Sequence, residues 1–234
     1  GILRRAASRE QKEKWLHPII AGELQSALAY AEPQSRYDIA DVRTTASADG
    51  DGWVISGSKG VVFNGGNAEL LIVSARTAGK QNDEDGITLF AIPADSDGLS
   101  IRSYPTVDGQ QAAEISLDNV AVDAASVIGE PGKGFAVLDA TIDDATLAVC
   151  AEAVGIMQIM TDKTVEYSKD RMQFGVPIGS FQALQHRMVD MLMACEQARS
   201  VLIWAVMTHA AGEDSKHAIS SIKYLIGTAG QKVG

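Results

Sequence analysis

The spacing of apolar residues changes twice along the chain, and the first stretch is helical. Trp15-Leu16 supplies part of an apolar face, and Ser8 followed by Glu10-Gln11 is typical of a helix start. His17-Pro18 predicts a break, because the residue before a proline disfavours the helical conformation. We therefore predict that residues 1–25 form the end of an N-terminal helical domain.

Residues 26–132 contain short apolar runs separated by turn sequences. Four runs rich in β-branched and aromatic residues predict strands: Trp53–Ser56, Leu70–Val73, Ile87–Ile92 and Ala113–Leu117. Glycine, aspartate and asparagine clusters lie between them, at 49–52, 64–67 and 95–98. Strands joined by such turns, with no helical segment between them, favour an antiparallel β-barrel or sandwich as the middle domain.

Helical spacing returns near Gly134 and continues to the last residues. Phe135 to Lys169 predicts one long helix, and Ser215–Val233 predicts another. A third helix is indicated by an apolar stripe at Leu184, Met188, Leu192, Cys195, Leu202 and Ala205. A loop at 171–180 interrupts the pattern. Residues 133–234 therefore predict a C-terminal up-down helical bundle, and the fold class is α+β.

Composition and charge narrow the possible partners. A net charge of −10 would repel a phosphate backbone, so nucleic acid is excluded as a partner. The longest apolar runs, such as Val201–Val206, are too short for a membrane span. Cys150 and Cys195 form no disulfide framework, suit a reducing cytoplasm and are expected to be core thiols. His209 and His217 lack partners at ligand spacing, so no metal site is predicted.

Residues 171–186 carry the most chemical information. Arg171 is a cation at a helix end, with the aromatic face of Phe174 beside it. Ser180 is expected to cap the next helix, whose first turns carry Gln182 and further polar side chains. A cation, an aromatic plane and a helix N-terminus together suit a dinucleotide. A capped helix–helix turn with a solvated arginine explains the same spacing equally well.

This segment closely resembles the Arg-x-x-Phe-Gly-x-x-Ile-x-x-Phe-Gln-x-x-Gln-His signature of the acyl-CoA dehydrogenases. Ala29–Pro33, Gly57-x-Lys59, Asn64-Gly65 and Gly129–Phe135 resemble further parts of that family. The resemblance implies FAD as cofactor, an acyl-CoA thioester as substrate and a 2-enoyl-CoA as product. It also implies a role in fatty acid metabolism, an electron-transfer flavoprotein or similar acceptor, and a homo- or hetero-oligomer.

The family's functional residues carry over to particular positions of this chain. The resemblance implies that six residues bind the FAD of a neighbouring subunit: Arg171, Gln173, Phe174, Phe181, Gln182 and Leu184. It places four others near the chain's own flavin pocket: Arg36, Tyr37, Phe63 and Asn64. Asp143 corresponds to a position near the substrate. The catalytic carboxylate is expected beyond Gly234, so no catalytic residue is assigned within the 234 residues.

Several positions depart from the family's pattern. Ala31 stands where the family has threonine, Arg36-Tyr37 replaces a Gly-Ser pair, Val61 replaces tryptophan, and Phe63 replaces a hydroxyl residue. Thr146 replaces the arginine that often follows Asp143 by three residues. Either these groups rebuild a flavin site, or the chain is a non-catalytic partner that completes a catalytic subunit's FAD site. This set of departures, including Gln34-Ser35-Arg36-Tyr37-Asp38, resembles the small subunits of two-subunit dehydrogenases of the pimeloyl-CoA type.

Other charged residues carry weaker expectations. Lys59 and Arg102 are expected to be surface charges. Asp143 and Asp144 are adjacent acids on a predicted helix, which are most often a solvated face. A contact with CoA is the alternative interpretation of this pair.

Overall fold

The computed structural model describes residues 1–234 and divides into two compact units. Unit 1 comprises Gly1–Thr141 and unit 2 comprises Ile142–Gly234. The boundary between them lies inside one long helix.

Short helical segments open unit 1. They are α1 (Ile2–Ala6), α2 (Arg9–Gln11), a π-helical turn (Lys12–Leu16) and α3 (His17–Ala21). The predicted helix start at Ser8 is confirmed. Its hydroxyl accepts a hydrogen bond from the Gln11 backbone N–H, and the Gln11 side chain accepts one from the Ser8 N–H. These reciprocal bonds satisfy two donors that a helix start leaves unpaired.

The predicted break at His17-Pro18 is wrong. Leu16 and His17 both keep right-handed helical torsion angles, and the chain continues into α3. Pro18 is the second residue of α3 and comes directly after the π-helical turn Lys12–Leu16 and His17. The helical stretch ends instead at Gly22, which adopts a left-handed conformation with φ of 76°.

One eight-stranded sheet fills the rest of unit 1. Its strands are β1 (Ser26–Ala29), β2 (Thr45–Asp49), β3 (Gly52–Phe63), β4 (Leu70–Arg76), β5 (Ile87–Pro93), β6 (Leu99–Pro105), β7 (Gln111–Asp123) and β8 (Val127–Ile128). The order across the sheet is β6-β7-β3-β2-β4-β5-β8, and β1 also pairs with β4. The four predicted runs lie in β3, β4, β5 and β7, whereas the other four strands were not predicted.

The prediction of an antiparallel barrel or sandwich needs correction. The sheet is mixed, because β1 and β2 both pair with β4 in parallel. It is also open, since β6 and β8 lie at opposite ends of the strand order and do not pair. Alternation of polar and apolar residues is the same in parallel and antiparallel strands, so the sequence pattern does not reveal strand direction.

The core of unit 1 lies against the middle of this sheet. All seven residues of β4 are buried, as expected of a strand covered on both faces. Trp53 packs edge-to-face on Phe90, with ring centroids 5.7 Å apart.

The last residue of β4 fixes two loops at once. The Arg76 guanidinium is buried and donates hydrogen bonds of 2.8 to 3.3 Å to six backbone carbonyls. These belong to Ala40, Val42, Ala78, Gln81, Asp83 and Asp85. Burial lowers the pKa of Arg76 below its ordinary value, against the attraction of nearby carboxylates.

Unit 2 contains three helices and one hairpin. Helix α4 (Gly134–Asp170) continues into it from unit 1 and is followed by β9 (Met172–Gln173), β10 (Val176–Pro177), α5 (Gln182–Ala210) and α6 (Lys216–Val233). These bounds confirm the three predicted helices. An apolar cluster formed by all three helices includes Val154, Cys195 and Val233.

Both cysteines are buried as predicted, and burial raises the pKa of the Cys150 thiol. No helix has the length and apolar content needed to cross a membrane.

A close approach between β3 and the segment before β2 explains Gly57. This residue has φ of 153° and lies where β3 shifts register against β7. A Cβ atom at Gly57 would lie 2.5 Å from Thr44 Oγ1 and 2.6 Å from Thr44 Cα. A side chain at this position would therefore push the two segments apart.

We predict that Gly57→Ala lowers the free energy of unfolding by about 1–3 kcal/mol, because overpacking and backbone strain both oppose it. Urea unfolding measures the loss. Gly60→Ala is the matched control on the same strand, since its Cβ would meet nothing closer than 3.9 Å. Equal stability of the two variants would show that the approach to Thr44 is not constraining.

Candidate functional site

The loop that follows β1 is organised by one buried carboxylate. We call residues 30–44 the β1–β2 loop. The Glu32 side chain accepts hydrogen bonds from the backbone N–H groups of Arg43 (2.8 Å) and Thr44 (3.1 Å). It also accepts one from the Gln34 side-chain amide at 2.8 Å. A single carboxylate therefore joins the two ends of the loop.

The ammonium group of Lys59 is the counter-charge of this carboxylate. Its Nζ atom lies 2.7 Å from Glu32 Oε1 and 3.1 Å from Ser74 Oγ, and the two charged residues are 1% and 5% exposed. The prediction of a surface lysine is therefore wrong, because its partner lies 27 residues earlier and no local pattern links them. Arg102 is exposed as predicted and pairs with Glu114 at 2.6 Å.

Burial and charge act in opposite directions on both members of this pair. Burial lowers the pKa of Lys59 to about 8, against the attraction of Glu32. Burial alone would raise the pKa of Glu32. The Lys59 charge and the hydrogen bonds from Lys59, Gln34 and Thr44 outweigh burial and hold this pKa below its ordinary value. Glu32 therefore remains an anion at neutral pH.

Arg36 and Tyr37 occupy an exposed turn of the β1–β2 loop. Arg36 has φ of 50°, a left-handed conformation that costs a residue other than glycine roughly 1–2 kcal/mol. Its guanidinium makes no hydrogen bond or ion pair within the chain. The Tyr37 ring is fully exposed. The turn therefore keeps a backbone conformation that glycine favours, and it presents a free cation and an aromatic ring to solvent.

The end of β3 carries the other predicted residues of unit 1. Its pairing with β7 shifts between Lys59 and Val62, and within this bulge Val61 has φ of 52°. Such an angle is rare for a β-branched residue and indicates local strain. The Phe63 side chain is 66% exposed, and Asn64 is also left-handed.

A backbone hydrogen bond connects this bulge to the β1–β2 loop. The N–H of Gly60 donates to the carbonyl of Ala31 at 2.9 Å. The substituted positions of the loop and of β3 therefore lie on adjoining segments of the backbone.

Three predicted residues of unit 2, Arg171, Gln173 and Phe174, lie at a hairpin that the sequence did not indicate. Arg171 follows α4 directly, and β9 pairs with β10 around a turn formed by Phe174 and Gly175. Phe174 has φ of 51°, is 92% exposed and meets Phe181 edge-to-face at 6.2 Å. The Arg171 guanidinium has no hydrogen-bond or ion-pair partner in the chain. The hairpin therefore exposes the Phe174 ring three residues after the unpaired guanidinium of Arg171.

The start of α5 lacks the predicted serine cap. Phe181 occupies the N-cap position and provides no side-chain hydrogen bond. Ser180 donates instead to the carbonyl of Pro177 at 2.7 Å, and Gln185 donates to the carbonyl of Gly179 at 2.9 Å. The short 3₁₀ turn at 178–180 moves the helix start by one residue, which explains the error. No side chain caps α5, whose first turn carries Gln182 and the half-exposed Leu184, and the N–H groups of Leu184 and Gln185 donate to the carbonyl of Phe181.

The paired acids of α4 contact the other two helices of unit 2. Asp143 forms an ion pair with Lys216 at 2.8 Å and is mostly buried. Asp144 lies 2.9 Å from His209 Nε2, and His209 Nδ1 lies 3.0 Å from Ser215 Oγ. The expectation of a solvated face missed these contacts, because the partners lie 65 or more residues away.

Two family descriptions together match most of the chain. Residues 27–120 match "Acyl-CoA dehydrogenase, middle domain", and residues 132–234 match "Acyl-CoA dehydrogenase, C-terminal domain". The probable acyl-CoA dehydrogenase YngJ of Bacillus subtilis is 37% identical over 201 residues, which is 85% of this chain and 53% of that protein. The human mitochondrial short-chain specific acyl-CoA dehydrogenase is 32% identical over 207 residues, with coverage of 87% and 50%. The chain thus spans about half the length of these relatives.

A solved structure shows the same fold. The structure named "FAD complex of PigA" superposes with a TM-score of 0.93 at 29% identity, covering 99% of this chain and 61% of that one. Its cofactor agrees with the FAD expected from the sequence. The hairpin at 172–177 and the mixed sheet therefore belong to a fold that is already known in a flavin complex.

We predict that acidification weakens the chain through Glu32. Because its pKa is lowered in the folded state, the unfolded chain binds the proton first as the pH falls below 4.5, and the stabilisation is lost on further acidification. Urea unfolding across this range measures the effect. The doubly neutral variant Glu32→Gln/Lys59→Met should show a shallower fall than the native chain. Identical slopes would contradict a lowered Glu32 pKa.

Proposed function

Because this chain belongs to the acyl-CoA dehydrogenase family, we propose that it is a subunit of a FAD-dependent enzyme that oxidises an acyl-CoA thioester to a 2-enoyl-CoA. The observation that carries the proposal is the hairpin that follows α4, where the unpaired Arg171 and the exposed Phe174 precede the start of α5, which has no side-chain cap. An enzyme of this type passes its electrons to an electron-transfer flavoprotein or a similar acceptor.

The residues of unit 2 suit a dinucleotide in their chemistry. A guanidinium without an internal partner can form charge-assisted hydrogen bonds with a pyrophosphate. Gln173 and Gln182 add amide groups, and the N–H groups at the start of α5 favour an anion. Phe174 and Phe181 supply aromatic surface for a ring system. When bound, FAD supplies the redox chemistry, and these residues bind and orient it.

The residues of unit 1 support two versions of the proposal. In the first, Arg36 and Tyr37 rebuild the chain's own flavin site, and the free guanidinium of Arg36 favours this version because it can meet a phosphate. In the second, the chain is a non-catalytic partner, as in two-subunit dehydrogenases of the pimeloyl-CoA type, and completes the FAD site of a catalytic subunit. The exposed Phe63 and the strained Val61 favour this version, because neither offers a polar group to a flavin.

Asp143 is the proposed contact with the acyl-CoA substrate. Its carboxylate already pairs with Lys216, so the ligand would meet this ion pair and not an isolated acid. No catalytic base is assigned within the 234 residues. We assign to the residues named above the binding and orientation of cofactor and substrate.

We predict that Arg171→Ala weakens FAD binding by the equivalent of about 1.5–3 kcal/mol, the usual worth of a hydrogen bond to a charged group. Quenching of flavin fluorescence on titration with the intact oligomer gives the dissociation constant. Lys163→Ala is the control, because it removes an exposed cation of α4 that is paired with Glu166. Unchanged affinity in Arg171→Ala would sink the assignment of the hairpin to FAD.

We also predict less than one bound FAD per chain, since the threonine, glycine, serine and tryptophan of the family's flavin pocket are replaced by Ala31, Arg36, Tyr37 and Val61. Flavin absorbance against protein concentration gives this ratio, with and without a candidate partner subunit. A ratio of one that falls in Arg36→Ala would support a rebuilt site in this chain and contradict the partner-subunit version.

A further inference from the structure

The Glu32–Lys59 ion pair lies where the two altered segments of unit 1 meet. One segment is the β1–β2 loop, which carries Arg36 and Tyr37. The other is the end of β3, where the bulge begins directly after Lys59. Neither charged side chain is open to solvent, so the pair cannot itself contact a bound cofactor from the surface.

Glu32 determines the shape of the loop from the inside. Its oxygens accept from Gln34 near the start of the loop and from Arg43 and Thr44 at its end. A residue with no acceptor at position 32 would leave these buried donors unsatisfied. Between the two anchoring points lies the turn that holds Arg36 in its left-handed conformation.

Lys59 connects this closed loop to two strands of the sheet, β3 and β4. Besides Glu32, its ammonium donates to Ser74 Oγ of β4 and to the carbonyl of Tyr30, which follows β1, at 3.4 Å. Lys59 itself belongs to β3. The next residue, Gly60, donates its N–H to Ala31, one position before Glu32. The loop and the bulge are thus held in one arrangement by hydrogen bonds around a single ion pair.

We propose that Glu32 and Lys59 are a positioning pair for the cofactor, which holds the turn at 33–42 and the bulge at 60–63 in the arrangement that binds FAD. This inference rests on the proposed function only for the identity of the ligand. The structural part concerns the backbone of the loop and holds for the chain without FAD.

A general role in core stability makes a different prediction from a positioning role. If the pair only stabilises the sheet, its removal weakens protection from hydrogen exchange evenly across β4 and β5. If it positions the loop, exchange rises first at the amides of residues 33–42, while the strands keep their protection. Local opening of this kind is common where few apolar contacts hold a segment.

The experiment compares three variants of the full chain in its native oligomer. Glu32→Gln/Lys59→Met removes both charges, so that no unpaired charge remains buried. Glu32→Asp keeps the charge but retracts the carboxylate by one methylene, and it serves as a second test if the double variant does not fold. Arg102→Met/Glu114→Gln is the matched control, since it removes an exposed ion pair from the same sheet.

Hydrogen exchange without FAD and the dissociation constant for FAD are the two measurements. We expect exchange at residues 33–42 to rise at least about tenfold in the double variant and in Glu32→Asp, with β4 and β5 unchanged. We expect FAD to bind about tenfold or more weakly, as misplaced binding groups commonly cause. The control should alter neither quantity.

Two results would overturn the inference. If residues 33–42 keep native protection from hydrogen exchange and FAD keeps its native affinity in both variants, the pair does not position the loop. An even loss of protection across the sheet would make it a general core element. Failure of the native chain to bind FAD, with the loop still opening in the variants, would reject the proposed function and leave the structural role of the pair intact.

Discussion

Two opposite charges, those of Glu32 and Lys59, lie almost completely out of contact with water. Removing ions from water is costly, and their attraction offsets this cost only when further hydrogen bonds satisfy the remaining donors and acceptors. Here the remaining partners come from the loop ends and from Ser74 and Tyr30. The need to satisfy one buried pair therefore dictates how a long loop, two strands and a bulge lie against one another.

The substituted residues have to fit within this constraint. Arg36 adopts the left-handed angle that glycine would tolerate freely, and Val61 does the same inside the bulge. Each keeps the backbone path at the expense of local strain. The backbone path around the candidate site thus requires left-handed angles at positions that carry large side chains.

Local sequence patterns predict some elements of this structure, but they do not predict its very short strands or its contacts between distant residues. Helix α5 follows from an apolar stripe of helical period, and β5 from a run of strand-forming residues. The two-residue strands of the hairpin after Arg171 are too short to leave a periodic signal. The burial of Lys59 and the contact between Asp144 and His209 depend on partners far away in sequence, which no local pattern records. The signature around Arg171 indicates the family, but only the folded structure shows that its guanidinium is unpaired.

The six acceptors around Arg76 have a consequence for variation in the surrounding loops. Every one of them is a main-chain carbonyl, and every residue type supplies the same carbonyl. The two loops can therefore exchange their side chains without losing the bonds that give them shape. The side chains of these loops can therefore vary during evolution, as long as the arginine at position 76, which lies outside both loops, is retained to hold their backbone shape.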